Sequence, residues 1–400
     1  MAASSAGSTP VVLALAYGFG AVFLARNSLG YLSPFIAQDL DLQNQRIGIL
    51  AAAFALTWAV AGYSISIFGR TLSPRSLLAG LLFSLGLASV ASSLAATFLI
   101  LVVARLAAGL VSGPVLPLSQ AQVASLGSTQ HRGFRMGVVQ GLGGGILGAI
   151  LAPLMLVPIA VHLGWRTAFL LVAAIAVTSA VLLACVLPST SPSIVPERKV
   201  GRTSLPPNIV LCCMISAAMV GWLILTLTFY PIYLVQVGHL SPAMMSTVMS
   251  AMGVGSVIAA FLVPYLSDRF GRRRILIMFS VVGALSPLGV LLIHDSLPLL
   301  ITSVLIGSLG GGTFPLFMAV VPSESVPTSA LAPTIGLIQG IGEIAGGVIA
   351  PVAGGWAADR FGLTTPLIVA LVGALLAAAF SLGLRDPEGD SKCEEFTYRR

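Results

Sequence analysis

The sequence predicts an all-α integral membrane protein in which twelve transmembrane helices form two pseudo-symmetric six-helix halves. Of its 400 residues, 57% are hydrophobic and only 8% are charged, whereas a soluble domain carries roughly 25% charged residues. The apolar residues fall in long runs, and two parts of the chain resemble each other. Runs without alternation, such as 367–384, are typical of membrane helices and unlike the alternating strands of a membrane barrel.

Twelve stretches are long enough to cross a bilayer as a helix, since each crossing needs about 20 apolar residues. The predicted spans are roughly 11–33, 47–68, 76–95, 97–119, 134–160, 167–187, 207–236, 244–266, 274–293, 297–320, 330–353 and 364–384. The longest polar interruption lies in the middle of the chain. We therefore predict an N-terminal half at 1–187, a central loop at 188–206, a C-terminal half at 207–385 and a tail at 386–400.

The basic residues are distributed unevenly over the loops. The net charge is +7. If both termini are cytoplasmic, about fifteen Lys and Arg side chains fall on the cytoplasmic side and about three, at Arg46, Arg166 and Arg360, on the other. This asymmetry is the positive-inside rule, and it predicts a multi-pass inner-membrane protein with both termini in the cytoplasm. Nucleic acid is therefore not an expected partner.

The two halves share short motifs at a nearly constant separation of 198 or 199 positions. The matching pairs are 139–143 with 338–342, 152–153 with 350–351, and Pro117 with Pro315. Paired repeats of like topology are typical of a large class of secondary transporters. The alternative is that these matches arise by chance, because glycine and proline are common in this chain.

Three charged residues fall in the interior of the predicted spans, away from the span ends, namely Arg26, Arg105 and Glu343. A charge in hydrocarbon is costly, so such residues usually face a cavity and serve a function. A guanidinium offers a planar fork that fits a carboxylate or sulfonate. We expect Arg26 and Arg105 to bind substrate, each within roughly 8 to 12 Å of the outer end of its helix. The alternatives are snorkelling for Arg26 and helix packing or gating for Arg105.

Glu343 is the expected proton-coupling residue, because it is the only acid in the predicted spans. Ionised Glu343 would pair with an arginine, and protonation would free that arginine for a substrate anion. A static ion pair between the halves is the alternative. Neutral polar residues complete the expected substrate site, although each could instead be a packing residue. They are Asn27, Gln140, Tyr230 and Gln339.

Several short motifs resemble those of the major facilitator superfamily. The clearest is Asp268-Arg269-Phe270-Gly271-Arg272-Arg273 after span 8, which is similar to the family's signature loop. Others are Asp359-Arg360-Phe361-Gly362, Arg105 with Gly109, and Gly164-Trp165-Arg166. The resemblance implies the major facilitator fold, with halves that rock about a central site. It also implies a gating role for the signature-loop residues, which are Asp268, Arg269, Gly271, Arg272, Arg273, Asp359 and Arg360. In the first half, Ser66 stands where the signature acid belongs.

Within that family, the chain most resembles the organic-anion porters. Arg26 followed by Pro34 and Phe35 resembles the anion:cation symporters, and the segment 131–166 resembles the monocarboxylate and oxalate/formate porters. The resemblance implies transport of a small organic anion, a carboxylate, with proton symport. Ala25 and Ser112 depart from the pattern, because some of these porters have acids there.

The expected partners are therefore a small anion, protons and membrane lipid, and the expected state is a monomer. No cofactor, metal or enzyme activity is expected, because the sequence has neither a nucleotide-binding loop of the Walker type nor clustered His and Cys. An organic-anion exchanger or uniporter is an alternative function. A proton-coupled exporter of lipophilic drugs or lipids is another, as is a transporter-like sensor.

Overall fold

The structure, a computed structural model, describes residues 8–68, 73–126, 132–188 and 206–385. These residues form twelve helical spans that are long and apolar enough to cross a membrane. Spans 1 to 6 are Thr9–Asp39, Asn44–Gly62, Pro74–Ser93, Phe98–Val123, Arg135–Leu163 and Trp165–Val186. Spans 7 to 12 are Pro207–Gln236, Pro242–Phe270, Arg272–Leu292, Leu297–Ser325, Ala330–Phe361 and Thr364–Ser381. Nearly all of the predicted central loop and the whole predicted tail lie outside the described residues.

The twelve predicted spans are confirmed, but the predicted ends of several are wrong. Span 1 does not stop before Pro34; its helix continues to Asp39. Proline lacks the N–H that would bond the carbonyl four residues earlier, which here belongs to Gly30. The hydroxyl of Ser33 donates to that Gly30 oxygen at 2.7 Å instead. The freed carbonyl therefore keeps a partner, and the helix continues.

Each half packs its spans in the same order of neighbours. In the N-terminal half (spans 1–6), span 3 packs against span 6, span 1 against span 5, and span 2 against span 4. In the C-terminal half (spans 7–12), the equivalent pairs are spans 9 and 12, 7 and 11, and 8 and 10. The repeat suggested by the sequence motifs thus extends to the arrangement of the helices.

Corresponding spans also depart from α-helix at corresponding places. Span 4 is interrupted between Phe98–Ser112 and Val115–Ser125, and span 10 turns into a 3₁₀-helix at Leu309–Thr313. Spans 5 and 11 contain π-helix at Val139–Leu151 and Glu343–Ile349. Since π-helix often marks functional positions, the central parts of these spans are the place to look for a site.

Glycines make the tight corners at the ends of three spans. Gly164 and Gly362, which are 198 positions apart, have φ of 85° and 95°, a conformation that only glycine adopts readily. Gly271 follows span 8 with φ of 92°. The predicted signature loop is therefore mostly helical: Asp268 and Arg269 end span 8, and Arg272 begins span 9 after this single glycine.

Within each half, consecutive spans run antiparallel because their connections are short. We call the end of the bundle at which span 1 begins and span 12 ends the terminal face, and the opposite end the distal face. The halves meet along two seams. The 2–11 seam lies between spans 2 and 11, and the 5–8 seam lies between spans 5 and 8. Spans 1 and 7 also pack against each other between the seams.

Candidate functional site

An ion pair joins the two halves near the middle of the membrane. Nη2 of Arg26 in span 1 lies 3.1 Å from both carboxylate oxygens of Glu343 in span 11. The two side chains are only 13% and 9% exposed. The Arg26 guanidinium also lies over the Trp58 ring, 4.9 Å from its centroid. The sequence prediction that an arginine pairs with Glu343 is thus matched by Arg26.

The Glu343 carboxylate occupies space that a side chain one turn later, at Gly347, would fill. A Cβ built at Gly347 would lie 2.6 Å from Oε2 of Glu343 and 3.2 Å from Cβ of Ala55. Glu343 therefore lies along its own helix and against span 2 before it reaches Arg26. A side chain at position 347 would force the carboxylate to move.

Arg26 lies deeper in the membrane than its sequence position suggests. Because span 1 continues to Asp39, about 20 Å of helix separates Arg26 from the distal end of the span. The predicted 8 to 12 Å is wrong for this residue. A snorkelling role suits a residue close to the interface, so the deeper position favours a role in the interior.

Arg105 contacts the backbone of span 1. Its Nη1 donates to the Ala25 carbonyl at 2.8 Å, and its Nη2 donates to the carbonyl of Arg26 at 3.1 Å. Its guanidinium lies 4.7 Å from the centroid of the Phe54 ring, and the residue is only 2% exposed. Its Nε has no hydrogen-bond partner within the described residues. Arg105 thus holds the segment of helix that carries Arg26.

A small cavity of about 30 Å³ lies between spans 1, 2, 4 and 7. Arg26, Asn27 and Arg105 line it, together with Phe54 and Thr228. Asn27 donates through Nδ2 to the carbonyl of Gly148 at 3.0 Å, which fixes its amide against span 5. Three of the six predicted substrate residues therefore meet at one cavity.

Sequence reasoning missed Thr228. A threonine in a membrane helix commonly bonds a carbonyl of its own helix, as Thr226 does with Leu223 at 2.9 Å. The hydroxyl of Thr228 makes no hydrogen bond within the described residues, although the residue is buried and lines the cavity. Nothing in the sequence distinguishes these two threonines.

The other three predicted substrate residues lie away from this cavity. Tyr230 is fully buried, and its hydroxyl lies 3.0 Å from that of Ser286 in span 9. Gln140 is exposed beside a narrow crevice between spans 4 and 5. Gln339 is half-buried in span 11. A substrate role for these residues stays a prediction.

At the terminal face, the signature residues form a network inside the C-terminal half. Nη1 of Arg272 contacts Asp268, and it donates to the Ser267 hydroxyl at 2.8 Å. Nε of Arg272 donates to Glu324 at 3.1 Å. The network joins spans 8, 9 and 10. Arg269 ends span 8 with its guanidinium over the Phe270 ring, and Arg273 lies in the first turn of span 9.

At the distal face, Asp359 crosses from one half to the other. Its Oδ1 accepts hydrogen bonds from the backbone N–H and the side-chain amide of Asn44, and its Oδ2 accepts one from the N–H of Gln45. All three distances are 2.9 Å. The adjacent Arg360 guanidinium lies over the Trp356 ring at 5.1 Å. The carboxylate thus caps the first turn of span 2 from span 11.

A sequence model of the Major Facilitator Superfamily matches residues 15–241 and again residues 209–397. The chain belongs to the Major Facilitator Superfamily. Its fold agrees with two solved structures. One is a bacterial homologue of the human lysosomal transporter Spinster in an inward-facing, unoccupied conformation, with a TM-score of 0.75, 16% identity and coverage of 93% of this chain and 95% of that chain. The other is a mutant of the nucleoside transporter NupG, with a TM-score of 0.74, 14% identity and coverage of 94% and 100%.

The relatives found by sequence are transporters. The phosphoglycerate transporter protein of Salmonella typhimurium is 23% identical over 368 residues, which are 82% of this chain and 78% of that protein. The inner membrane transport protein YdhP of Escherichia coli is 27% identical over 264 residues, 64% of this chain and 66% of its own length. A probable sulfoacetate transporter, SauU of Cupriavidus necator, is 29% identical over 157 residues, 38% and 35% of the two chains. The chain is therefore a multi-pass membrane transporter.

Proposed function

We propose that this transporter moves a small organic anion, a carboxylate, across a bacterial inner membrane by alternating access and in symport with a proton. The observation that carries the proposal is the position of the Arg26–Glu343 pair. It lies at a cavity between the halves, where a bound anion and a bound proton would both contact it. The protein would work as a monomer surrounded by lipid, with both termini in the cytoplasm.

Arg26 is the proposed substrate ligand. Glu343 engages only Nη2 of Arg26, and within the described residues Nε and Nη1 make no hydrogen bond. Nε and Nη1 lie on opposite sides of the guanidinium, and each edge that fits a carboxylate in bidentate fashion includes Nη2. A complete edge therefore becomes available when protonation of Glu343 releases Nη2. Thr228 and Asn27 provide polar groups on the same cavity wall. The substrate would therefore place its acidic group against Arg26 in competition with ionised Glu343.

Arg105 is proposed as a positioning residue for Arg26. Each of its terminal nitrogens already donates to a backbone carbonyl of span 1, so a substrate that used its fork would compete with these contacts. Its Nε has no hydrogen-bond partner within the described residues. Its charge stabilises the carbonyls at Ala25 and Arg26, and so fixes the direction in which Arg26 leaves the helix.

Proton coupling follows from the charge of the site. In the empty carrier, Arg26 and ionised Glu343 sum to zero. With a proton on Glu343 and an anion on Arg26, the sum is again zero. The charge of Arg105 is the same in every form, so it does not change this balance. A carrier that holds only the proton or only the anion would differ by one unit of charge from the empty and the doubly loaded carrier, and placing an extra charge in the membrane interior is costly. The empty and the doubly loaded carrier, which have equal charge, are therefore the forms expected to change conformation, and this couples the two ligands.

Two further findings support the proposal. Two of the relatives are named as transporters of anions, phosphoglycerate and sulfoacetate. The halves are in close contact on the distal side of the cavity, where a Cβ at Gly30 would lie 2.2 Å from the Leu227 carbonyl oxygen. With the terminal face in the cytoplasm, this closed distal side corresponds to an inward-facing arrangement.

Ligand binding and transport can be tested in two successive experiments. Purified protein is first screened by thermal shift against small mono- and dicarboxylates and sulfonates. We expect one class to stabilise the wild type and Arg105→Lys, but not Arg26→Ala. Stabilisation by lipophilic cations alone would contradict the anion site and favour a drug or lipid exporter.

The anion found in this way is then measured in proteoliposomes. We expect a pH gradient to drive its accumulation in wild type, and Glu343→Gln to lose this response while still exchanging internal for external anion. If uptake by the wild type required anion inside the liposomes and did not depend on the pH gradient, the protein would be an anion exchanger. In that case the proton-symport part of the proposal would be wrong.

A further inference from the structure

The start of span 2 obtains its helix cap from the opposite half. The residue before this helix is Gln43, which is not among the residue types that cap helices well. Asp359 of span 11 supplies the cap instead, with three hydrogen bonds of 2.9 Å to Asn44 and Gln45. A carboxylate at this position also interacts favourably with the positive end of the helix dipole.

The backbones beneath this cap are in direct contact. A Cβ at Gly355, one turn before Asp359, would lie 2.5 Å from the carbonyl oxygen of Asn44. One turn further along span 2, a Cβ at Gly48 would lie 2.0 Å from the carbonyl oxygen of Pro351. Any opening of the distal face along the 2–11 seam must separate these surfaces and break all three hydrogen bonds of Asp359.

Span 11 therefore carries two carboxylates that accept hydrogen bonds from the N-terminal half. Glu343 pairs with Arg26 in the middle of the membrane, and Asp359 caps span 2 about 24 Å further along the helix. Substrate and proton act on the first contact in the proposed cycle. The second contact lies at the exposed rim and involves no residue of the substrate cavity.

We infer that Asp359 is a latch that keeps the distal face closed, by capping span 2 in trans. The inference goes beyond the signature-loop role implied by the sequence, because the partner is the backbone of a helix in the other half. It rests on the proposed alternating access, but it is independent of the chemistry of the substrate.

The test measures distances across both faces of the protein in lipid nanodiscs. Cys185, Cys212, Cys213 and Cys393 are replaced by alanine, and spin labels are attached to cysteines introduced at the exposed distal positions His162 and His294. A second pair at Ser125 and Ser323 reports on the terminal face. Double electron–electron resonance then gives the distribution of distances for each pair.

Asp359→Ala is expected to raise the ratio of distal-open to distal-closed molecules about tenfold, which corresponds to about 1.4 kcal/mol and lies within the usual cost of losing a helix cap. The terminal-face distance should shorten in the same sample. Asp268→Ala is the matched control, because Asp268 begins the same tetrapeptide but its bonds stay within one half. It should leave the distal distance unchanged. Asp359→Asn, which keeps the size of the side chain, should shift the ratio in the same direction.

Each remaining outcome is informative. An unchanged distal distance in Asp359→Ala and Asp359→Asn would overturn the latch. An equal increase of the distal distance in Asp268→Ala would also overturn the latch, because the effect would then not depend on the contact between Asp359 and span 2. Widening of the distal face without narrowing of the terminal face would leave the latch intact and contradict alternating access. Elution as a single sharp peak in gel filtration shows that each variant is folded.

Discussion

The two seams between the halves differ in chemistry although they are related by the internal repeat. At the 2–11 seam, span 11 is joined to the N-terminal half by a buried ion pair with Arg26 of the adjacent span 1 and by a carboxylate cap on span 2. Along the 5–8 seam, the halves meet through glycine and small side chains. A Cβ at Gly253 would lie 2.5 Å from the Ala149 carbonyl oxygen, and Ser250 donates to the carbonyl of Ile150 at 2.9 Å. The first seam can respond to a charged ligand, whereas the second is a packing surface.

The same contrast appears in the two copies of the sequence Asp-Arg-Phe-Gly. Both copies end a helix with a glycine of positive φ, at Gly271 and Gly362. The residue after the first glycine is Arg272, which engages Asp268 from four positions away. The residue after the second is Leu363, so Asp359 is available to span 2. The neighbour, and not the tetrapeptide itself, decides whether the acid bonds within one half or between the two.

The largest effect is expected from breaking the ion pair of the 2–11 seam. Arg26→Gln leaves a buried carboxylate without its partner and should lower the free energy of unfolding by about 3 to 5 kcal/mol. The double variant Arg26→Gln with Glu343→Gln should recover most of that loss and still fail to transport. Ser250→Ala, which removes one hydrogen bond across the 5–8 seam, should cost only about 1 kcal/mol.

Thermal and denaturant unfolding in detergent measures these differences. If Ser250→Ala lowered the free energy of unfolding as much as Arg26→Gln, the contacts of the two seams would contribute equally to stability, which would contradict the expected difference between them.

A smaller effect is expected from adding one methyl group to each seam. Gly48→Ala places a Cβ against the Pro351 carbonyl, and Gly253→Ala places one against the Ala149 carbonyl. Each should cost about 1 to 3 kcal/mol of stability. Only Gly48→Ala should shift the distal pair of spin labels to longer distances, since Gly48 lies near the distal start of span 2. Equal shifts in both variants would contradict separate roles for the seams.

The smallest effect is expected from making the second Asp-Arg-Phe-Gly copy resemble the first. Leu363→Arg puts a cation four positions after Asp359, the spacing that Arg272 has to Asp268. An exposed ion pair across such a turn is worth roughly 0.5 kcal/mol, so we expect about a twofold shift toward the distal-open form. Leu363→Met serves as the control without charge. A shift of the same size in both variants would attribute the effect to packing.

Much of the fold follows from the sequence, because long apolar runs and the repeat constrain it strongly. Arg26 and Glu343 were predictable, since a charge in an apolar run has few explanations. The contacts of Arg105 were not, because its partners are backbone carbonyls, which leave no trace in the sequence. The same holds for Asp359, whose partners Asn44 and Gln45 lie more than 300 positions away. The end of span 1 was missed because Ser33 compensates for Pro34.

The matching stretches of spans 5 and 11 that contain π-helix differ in length by one residue. Between the matching positions Gly143 and Ala152, span 5 has one residue more than span 11 has between Gly342 and Ala350. The position of Glu343 in span 11 therefore corresponds to Gly144 when counted from one end of the stretch and to Gly145 when counted from the other. Span 5 therefore has no carboxylate at the place that Glu343 occupies in span 11, and the proposed proton site has no counterpart at that place in the N-terminal half.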